Sequence, residues 1–538
     1  TLLNGYIEVA GRSAEVVIAN PSGIHVNGAG FLNTPSVTLT TGLPQYQQGA
    51  LTGYLVNAGR IEVGNRGLDT THSNITRFLA KAVEVAGSVF TQNLQVVAGS
   101  NAISVDGTIH PLSPESVHQG LAIDAHQIGA MHGNSIYLIV TDKGAGVNNA
   151  GRVFAGSGGI HIDTKGNLIN TGSIVASSDK DVTLSEAPVN IRVQHLDNSG
   201  SLSGQGSTQI ESTALTNSGL VASTTELVIR NHQALVNHGH INATRLDLAT
   251  QTLSNTGKIE QTGSLSLQIE AGDVLNTAHS VLGSREHVRS SDTPPTQDPD
   301  ARNEPTVHSD RTPQSGSLVE TSTRDNTPPE ESAPTTAIDG SNTRVQDATV
   351  VTPLDNGTIK VAEHLENITA ELIANGPVDV LSHGNLSNVN SKIMLSDLIV
   401  TGEWLNNKAG RLVVTNATLD LSRLDNRDGV ILVSNDLSAT ITERLRNNAG
   451  KIEALNDIRI TDNEAGSLGI KNTDGARLVA GHDMSLVAKS LTNQGTLGAN
   501  RDLLINLIDN IRVTEKLNAR SIPKAMSTPI REWKREVN

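Results

Sequence analysis

Histidine side chains are the first candidates for chemistry in this sequence, because three of them lie close together. His238 and His240 are two residues apart and would face the same side of a strand, and His232 lies one stretch earlier. Zinc would need a third and a fourth ligand at a defined spacing, and the chain has no cysteine to supply a thiolate. We therefore interpret these three residues as surface imidazoles and predict no metal site.

Asp124 and His126 form a second candidate pair, of the kind used in acid–base or nucleophilic catalysis. No G-x-S-x-G nucleophile elbow follows a strand near them. The glycine-rich pieces GAGV and GSGG lack the strand-to-helix setting of a phosphate-binding loop, so we interpret them as turns. We predict neither catalytic residues nor a cofactor.

An enzyme that cleaves polysaccharides is the alternative from another functional class. Such a site gathers two or three carboxylates within about 5–10 Å of one another, commonly beside aromatic platforms for the sugar. In this chain the carboxylates are scattered, and eight of the ten aromatic residues lie before residue 155. No group of residues meets these requirements, so we predict a chain without enzymatic activity.

Charge and composition exclude further classes of protein. A formal net charge of -15 disfavours binding to nucleic acid, because the phosphate backbone needs a basic surface. No run of 18 apolar residues is present that would indicate a membrane-spanning helix. Since Thr1 is preceded by neither Met nor a targeting segment, we expect an internal fragment of a longer protein, with any targeting or N-terminal capping sequence upstream.

The most informative pattern is an imperfect repeat of about 20 residues, which is typical of a solenoid. Each repeat has an Asn-x-Gly or Asn-x-x-Gly turn followed by short aliphatic runs. The turns contain Asn149 and Gly151, Asn170 and Gly172, Asn198 and Gly200, Asn217 and Gly219, Asn237 and Gly239, and Asn255 and Gly257, and later Gly410, Gly429, Gly450, Gly475 and Gly495.

Between the turns, the aliphatic residues alternate with polar ones as in half-buried β-strands. Leu246, Leu248 and Leu253 are one such set, and Leu265, Leu267 and Ile269 are another. Gly and Asn enter the left-handed backbone region at little cost, which suits tight turns. In coils stacked about 4.8 Å apart, Val, Ile and Leu would form interior columns, and turn asparagines could hydrogen-bond along a ladder. The sequence therefore predicts an all-β fold, a parallel β-solenoid.

Two segments depart from the repeat. Residues 286–350 are rich in Pro, Ser, Thr and Asp and have no aromatic residue, which indicates a disordered linker between two rods; a partner-binding or protease-sensitive hinge is the alternative. Residues 511–538 are basic, with no predicted structure. We predict a boundary at residue 115, repeats over 116–285, the linker over 286–350, a second repeat array over 351–510 and the tail over 511–538.

The stretch ANPSGIHVNGAGFLNTPSVTLTTG, Ala19–Gly42, resembles the secretion domain of two-partner-secretion exoproteins. This family includes filamentous haemagglutinins and the stalks of contact-dependent growth-inhibition toxins. Gly67–Asn101 and Gly120–Ala155 are similar to later parts of the same family. The resemblance implies a right-handed parallel β-helix, with residues 1–115 as the C-terminal part of the secretion domain.

The resemblance also implies which residues carry the export signal. The residues that match the two family motifs are Asn20, Pro21, Gly23, Ile24, Asn27, Gly28, Gly30, Phe31 and Asn33. Ser22 stands where the family usually has Asn, which puts a contact by that side chain in doubt while still allowing turn hydrogen bonds. The residues themselves favour a tight turn, because Pro21 fixes φ and Gly23 permits a conformation closed to branched residues.

By this resemblance the partner is an outer-membrane β-barrel transporter, and the protein passes through the periplasm to the cell surface or the medium. We expect a monomeric rod that acts as a filamentous adhesin and binds a receptor or glycan on host or neighbouring cells. The alternative within the family is the stalk of a contact-dependent growth-inhibition toxin, whose toxic domain would lie beyond Asn538.

Overall fold

The computed structural model describes residues 1–112, 117–178, 187–263, 267–284, 357–374, 378–463, 466–508 and 512–513. Within these ranges the regular structure consists of β-strands, and no described segment is a helix long and apolar enough to cross a membrane. Strands β1 to β16 span, in order, Leu2–Leu3, Tyr6–Glu8, Val16–Ala19, Ile24–Val26, Ala29–Leu32, Ser36–Thr40, Leu43–Gln47, Ala50–Val56, Arg60–Val63, Leu68–Thr70, Ile75–Ala80, Ala82–Val85, Ser88–Thr91, Asn93–Ala98, Asn101–Ser104 and Ile109–Pro111.

The remaining strands continue the same pattern. Strands β17 to β30 span, in order, Val117–Ala125, Ala130–Val140, Lys143–Asn149, Arg152–Thr164, Asn167–Asn170, Ser173–Ala176, Val189–Asn198, Ser201–Gly204, Thr208–Asn217, Leu220–Asn237, His240–Asn255, Lys258–Gln261, Gln268–Thr277 and Val281–Ser284. Strands β31 to β50 span Gly357–Val361, Leu365–Ile368, Glu371–Ala374, Val378–Ser382, Leu386–Ser387, Lys392–Met394, Asp397–Asn406, Arg411–Val414, Asn416–Asp425, Val430–Val433, Leu437–Arg446, Lys451–Ala454, Ile458–Thr461, Gly469–Asn472, Arg477–Ala480, Met484–Ala488, Ser490–Asn493, Thr496–Ala499, Leu503–Leu507 and Arg512–Val513.

Apart from β7, β8, β15 and β16, the strands stack in parallel on the equivalent strands of adjacent coils, so the predicted parallel β-solenoid is confirmed. In β27 the coil has three straight sides, residues 240–243, 245–250 and 252–255. Leu246, Leu248 and Leu253 from this coil point inward and are at most 1 % exposed, as the alternating pattern predicts. Burying each such side chain contributes about 1.5–3 kcal/mol before the entropy of ordering is subtracted.

The two repeat arrays form one continuous solenoid, where the sequence predicts two separate rods. Strand β29 pairs in parallel with β31 and β32, with Ile269 opposite Ile359 and Val274 opposite Leu365. The interior columns therefore run unbroken from one array into the next. The composition of residues 286–350 cannot reveal which strands pair on either side of them, which is why the expectation of two rods is wrong.

Two expectations fall largely outside the described residues. The predicted disordered linker over 286–350 lies wholly outside them, and so does the predicted basic tail over 511–538 except for β50, Arg512–Val513. In the chain, residues 286–350 come between β30, which lies on the first side of a coil, and β31, which lies on the second side.

A ladder of buried asparagines runs along the solenoid, as the turn pattern predicts. Each side-chain amide donates from Nδ2 to Oδ1 of the equivalent asparagine in the next coil, at 2.7–2.9 Å. The ladder consists of Asn149, Asn170, Asn198, Asn217, Asn237, Asn255, Asn276, Asn367, Asn388, Asn407, Asn426, Asn447, Asn472 and Asn493. The bond from Asn276 to Asn367 joins the two arrays at 2.9 Å.

The turn glycines follow the ladder, but their role differs from the one that the sequence indicates. An added Cβ on Gly219 would lie 2.0 Å from the carbonyl oxygen of Gly200 in the preceding coil, and Gly172, Gly200, Gly239 and Gly257 meet equivalent oxygens at 2.0–2.1 Å. None of these five glycines has a positive φ. Glycine is needed here because stacked turns approach closely, whereas the sequence suggests a left-handed backbone.

A second, smaller sheet packs on the outside of the N-terminal coils. Strands β7, β8, β15 and β16 pair antiparallel in the order β16-β15-β8-β7. This side sheet covers two outward-facing solenoid residues, Leu79 and Val97, with Tyr54, Val56 and Ile103. The repeat pattern in the sequence does not indicate this sheet.

Candidate functional site

The ten residues of the predicted export motif lie in the N-terminal coils, on β4, on β5 and in the turns beside these strands. Most of them shape the turns through their own hydrogen bonds and packing. Among the ten, only Pro21, Ser22 and Asn33 are exposed to solvent.

Asn20 organises the first turn through three hydrogen bonds. Its backbone carbonyl accepts from the Gly23 amide at 2.9 Å, and its side-chain Oδ1 accepts from the Ser22 amide at 3.0 Å. Its Nδ2 donates to the hydroxyl of Thr1 in the preceding coil at 2.8 Å. This arrangement is an Asx turn, which presents Pro21 and Ser22 at its tip.

Gly23 and Ile24 join this turn to the solenoid core. Gly23 has a φ of 111°, a conformation that only glycine adopts readily, and an added Cβ would lie 3.1 Å from the Arg60 carbonyl oxygen. Ile24 is 2 % exposed and stacks in register under Ile61. The expectation that Gly23 supplies a special backbone conformation is therefore confirmed.

Asn27 and Gly28 hold the next coil in place. The Asn27 side-chain Oδ1 accepts from the Arg66 amide at 3.0 Å, and the Gly28 amide donates to the Gly67 carbonyl at 2.9 Å. Gly28 has a φ of 91°, and the Arg66 side chain lies against it, 3.2 Å from the position of an added Cβ. These residues thus act within the fold.

The second half of the motif packs against the first coil. The Tyr6 ring lies over Gly30, with a ring carbon 2.3 Å from the place of an added Cβ, so a side chain there would displace the ring. Phe31 is 2 % exposed in the core. Asn33 has a φ of 54°, and its Nδ2 donates to the carbonyls of Val9 at 2.6 Å and Gly11 at 2.9 Å.

Sequence reasoning missed the residues that complete the motif. Thr1, Tyr6 and Arg66 contact motif residues from adjacent coils. Nothing in their local sequence marks them, because the contact depends on the length of each coil. The coils here are irregular, with Ile24 opposite Ile61 across 37 residues.

The other sequence-predicted candidates do not converge on one site. His238 bonds to Thr256 Oγ1 at 2.7 Å, His240 bonds to Glu260 at 3.2 Å, and His232 bonds to the Ser212 carbonyl at 3.1 Å. No group of three or more metal-ligating side chains occurs in the described ranges. Each imidazole instead bonds to a residue of an adjacent coil.

Asp124 and His126 do lie together, with 3.5 Å between the Asp124 Oδ2 and His126 Nε2 atoms. The same nitrogen lies 3.0 Å from Glu84 of the preceding coil, and Glu84 pairs with Arg60 at 2.8 Å. Asn148 of the next coil donates to the Asp124 carboxylate at 2.7 Å. The pair is thus part of a surface network that connects several coils.

A column of rings on the outer face is a feature that the sequence did not indicate. Phe90, His132 and Phe154 occupy the same register position in three coils. The first two rings stack with centroids 5.0 Å apart, and the third is 6.1 Å from His132. Burial between the rings, with a smaller contribution from the Arg152 charge, lowers the pKa of His132 below its usual value.

Comparison with known proteins agrees with the motif. The family described as TPS secretion domain matches residues 2–170, which include every motif residue. A protein named Toxin CdiA from Yersinia pestis is 38% identical over 208 residues, which is 38% of this chain and 6% of that protein. A tRNA nuclease CdiA from Escherichia coli strain STEC_O31 is 32% identical over 291 residues, 51% of this chain and 9% of that protein.

A further relative and one solved structure were found. A tRNA nuclease CdiA-2 from Burkholderia pseudomallei is 38% identical over 175 residues, 32% of this chain and 6% of that protein. A crystal structure of filamentous hemagglutinin secretion domain aligns with a TM-score of 0.27 and 24% identity, covering 49% of this chain and 71% of that one.

The chain spans less than a tenth of the length of these relatives, so what their names say about nuclease or toxin activity applies to them. The agreement that concerns this chain lies in residues 2–170, where the family match and the motif geometry coincide. Over residues 2–170 the chain is similar to the secretion domain of two-partner-secretion exoproteins.

Proposed function

We propose that an outer-membrane β-barrel transporter recognises residues 2–170 and exports this chain as part of a filamentous surface adhesin. The observation that carries the proposal is the family match over a region whose motif forms a rigid, exposed turn. Exposed turns held on a rigid scaffold are common recognition points.

The geometry divides the motif into residues that shape the turn and residues that can touch the transporter. Asn20 and Gly23 set the backbone, while the side chains of Pro21 and Ser22 are exposed at the tip. We assign the transporter contact to this tip. The Ser22 side chain stands in place of the family's Asn, and its backbone amide still closes the Asx turn.

Behind this domain, the solenoid supports a role in attachment. A rod of stacked coils presents long outer faces on which side chains repeat at about 4.8 Å, a suitable surface for an extended receptor or glycan. We propose that the rod is monomeric, lies outside the cell after passing through the periplasm, and has no enzymatic activity of its own.

A contact-dependent growth-inhibition stalk is the second candidate, favoured by the names of the relatives. Toxin CdiA and tRNA nuclease CdiA proteins are 32–38% identical to this chain over 175–291 residues. In this proposal the same rod would carry a toxic domain encoded beyond residue 538. A growth-competition assay between bacteria with and without the full-length gene distinguishes the candidates, since an adhesin alone leaves the competitor alive.

Export of motif variants tests the main proposal. In the full-length parent protein, we expect Asn20→Ala to lower the amount in the medium about fivefold or more, because the loss of a turn hydrogen bond costs about 1 kcal/mol. The β-sheet circular dichroism of the purified chain should stay unchanged, since the turn lies at the surface. Ser22→Ala keeps the turn and tests the tip side chain itself.

A matched control exists in the side sheet. Asp106 forms an equivalent turn outside the motif, with the Thr108 amide donating to its Oδ1 at 2.9 Å, and this bond lowers the pKa of Asp106. Asp106→Ala should leave export normal. Normal export of both Asn20→Ala and Gly23→Ala would contradict the recognition role of the motif.

A further inference from the structure

The column of rings on the outer face extends toward the N-terminal coils. Tyr6, on the first side of the first coil, is in register with Gly30, and its ring lies over that glycine. Asp69 occupies the position after Gly30 and is in register with Phe90. The five spacings between the six positions, at about 4.8 Å each, cover about 24 Å along the solenoid axis. We call this column the ring stripe, and it consists of Tyr6, Gly30, Asp69, Phe90, His132 and Phe154.

The large rings of the stripe are open to solvent. Tyr6 is 69% exposed, Phe90 45% and Phe154 38%. The surface beside the stripe is low, because Ser88 and Ala130, which are in register with each other on the same side, carry short side chains. Contiguous exposed apolar surface commonly marks an interaction site, and aromatic residues are enriched at interfaces. The stripe therefore has the character of a binding surface.

The fold itself does not require rings at these positions. The same column continues beyond Phe154 to Gly498 without an aromatic residue, and the strands keep the same parallel register there. The first positions after Phe154 hold Val175, Ser203, Ala222, Asn242, Glu260 and Gly283. Since small and polar residues suffice for stacking in these coils, the fold does not explain the rings.

The stripe ends where the similarity to the secretion domain ends. Its last ring, Phe154, lies inside the match over residues 2–170. The next position of the column, Val175, lies outside the match and is aliphatic. A surface for a receptor or glycan could continue along the whole rod, whereas a surface for the transporter belongs to the secretion domain. This coincidence favours the transporter as the occupant.

We propose that the ring stripe is a second surface by which the outer-membrane transporter recognises this chain, and that an apolar surface of the transporter covers it. This inference rests on the function proposed above. Pro21 and Ser22 lie at the corner between the second and third sides of their coil, whereas the stripe lies on the first side. The transporter thus contacts the secretion domain at two separate places, and each contact can be removed by itself.

Binding of the purified 538-residue chain to its transporter, purified in detergent, tests the stripe. Phe90→Ser introduces the residue type that the column carries at Ser203. It should weaken binding about fivefold or more, because the complex loses the burial of an aromatic ring. In the full-length parent protein, the same change should lower the amount in the medium. Phe154→Ser should act in the same direction, and it decides if Phe90→Ser fails to fold.

Tyr137→Ser is the matched control. Tyr137 is 43% exposed, close to the value for Phe90, and it lies on the second side of the coil that contains His132, outside the stripe. It also has a ring neighbour, His161, with the two centroids 5.7 Å apart. Its replacement should leave both transporter affinity and export unchanged.

Unchanged affinity and export of both stripe variants, or equal weakening by Tyr137→Ser, would overturn the proposal. If the stripe variants behave as the unaltered chain while Asn20→Ala lowers export, the stripe alone is wrong and the proposed function stands. If the unaltered chain does not bind the transporter and Asn20→Ala is exported normally, both are wrong. Export of the three variants decides the question if detergent prevents binding of the unaltered chain.

Discussion

At the scale of single residues, buried asparagines stabilise the interior of the solenoid by hydrogen-bonding to one another, in a chain with few aromatic residues. In the middle of the ladder, Asn237 accepts from Asn217 and donates to Asn255, both at 2.8 Å, and it also donates to the Lys258 carbonyl at 3.1 Å. An amide in the middle of the ladder is therefore satisfied by its neighbours inside the solenoid. A buried polar group that loses such a partner costs about 1–3 kcal/mol.

Removing one amide from the middle of the ladder should destabilise the solenoid strongly. Asn237→Leu breaks two bonds between asparagines and leaves the Asn255 Oδ1 without its donor. We expect the free energy of unfolding to fall by about 2–4 kcal/mol. Urea denaturation followed by circular dichroism measures it, reported as the shift in midpoint because repeat arrays are not strictly two-state.

The first residue of the ladder is the control. Asn149 stacks on Ala125 of the preceding coil, so its Oδ1 accepts no hydrogen bond from a described residue, and the substitution breaks one bond between asparagines instead of two. Asn149→Leu should therefore shift the midpoint about half as much. An equal or larger shift would show that the ladder bonds do not determine the stability of these coils.

At the scale of elements, the turns are governed by contact between coils. Gly219 stacks on Gly200 so closely that no side chain fits between them. In the downstream array the residue before the glycine has a positive φ instead, as at Ala409 with 52° and Asp428 with 57°. The two arrays thus use different turns around the same asparagine ladder.

This difference leads to a prediction for glycine substitutions. Gly219→Ala places a Cβ 2.0 Å from a backbone oxygen, so the turn must shift, and we expect a loss of about 2 kcal/mol or more, measured as the thermal unfolding midpoint. Gly498→Ala is the matched control, because no atom lies within 4 Å of the new Cβ and φ is not positive. Similar midpoints for the two variants would contradict the stacking explanation.

The side sheet is an element that the repeat pattern does not indicate. Its two hairpins have local signals, a two-residue turn at Gln48 and Gly49 with φ of 52° and 81°, and the Asp106–Gly107 pair with a φ of 91° at the glycine. These signals were readable in the sequence. What was not readable is that Leu79 and Val97 point out of the solenoid and form the surface on which the sheet packs.

A buried ion pair also connects this sheet to the solenoid. Lys81 donates to the Asp142 carboxylate and to the Ser100 hydroxyl, the latter at 2.7 Å, and Asp142 accepts from the Ser100 amide at 2.9 Å. The three residues are up to 61 positions apart in the chain. Their meeting depends on three coils being stacked in register.

At the scale of the whole molecule, continuity across the insertion is the main property. Strands β28 and β30 stack on one side of it and β33 continues the same column, with Leu282 opposite Leu372. The core columns and the asparagine ladder pass from one array to the other without a gap. The stability of either array therefore includes the interface between them.

Deletion of the insertion tests this continuity. We expect a chain in which residues 285–356 are replaced by a copy of the five residues 262–266 to keep its β-sheet circular dichroism and to unfold in a single transition with an unchanged midpoint. The reason is that the core columns already pass directly from β29 to β31 and from β30 to β33. Two separate transitions, or aggregation of the shortened chain, would favour two independent rods.

The sequence by itself determined the class of fold, the period, the inward-facing leucines and the asparagine ladder, because each depends on a local pattern that repeats with every coil. It also predicted the special backbone of Gly23, while the export role of the motif stays a prediction. The boundaries of the domains remain predictions.

The tertiary structure decided what depends on the length of each coil. It showed that the two arrays are one solenoid and that Tyr6 and Arg66 complete the motif. It also showed that turn glycines such as Gly219 are needed because successive turns stack closely. It also showed the side sheet. The physical reason is that the register between coils arises from packing, and residues tens of positions apart meet only once the coils are stacked.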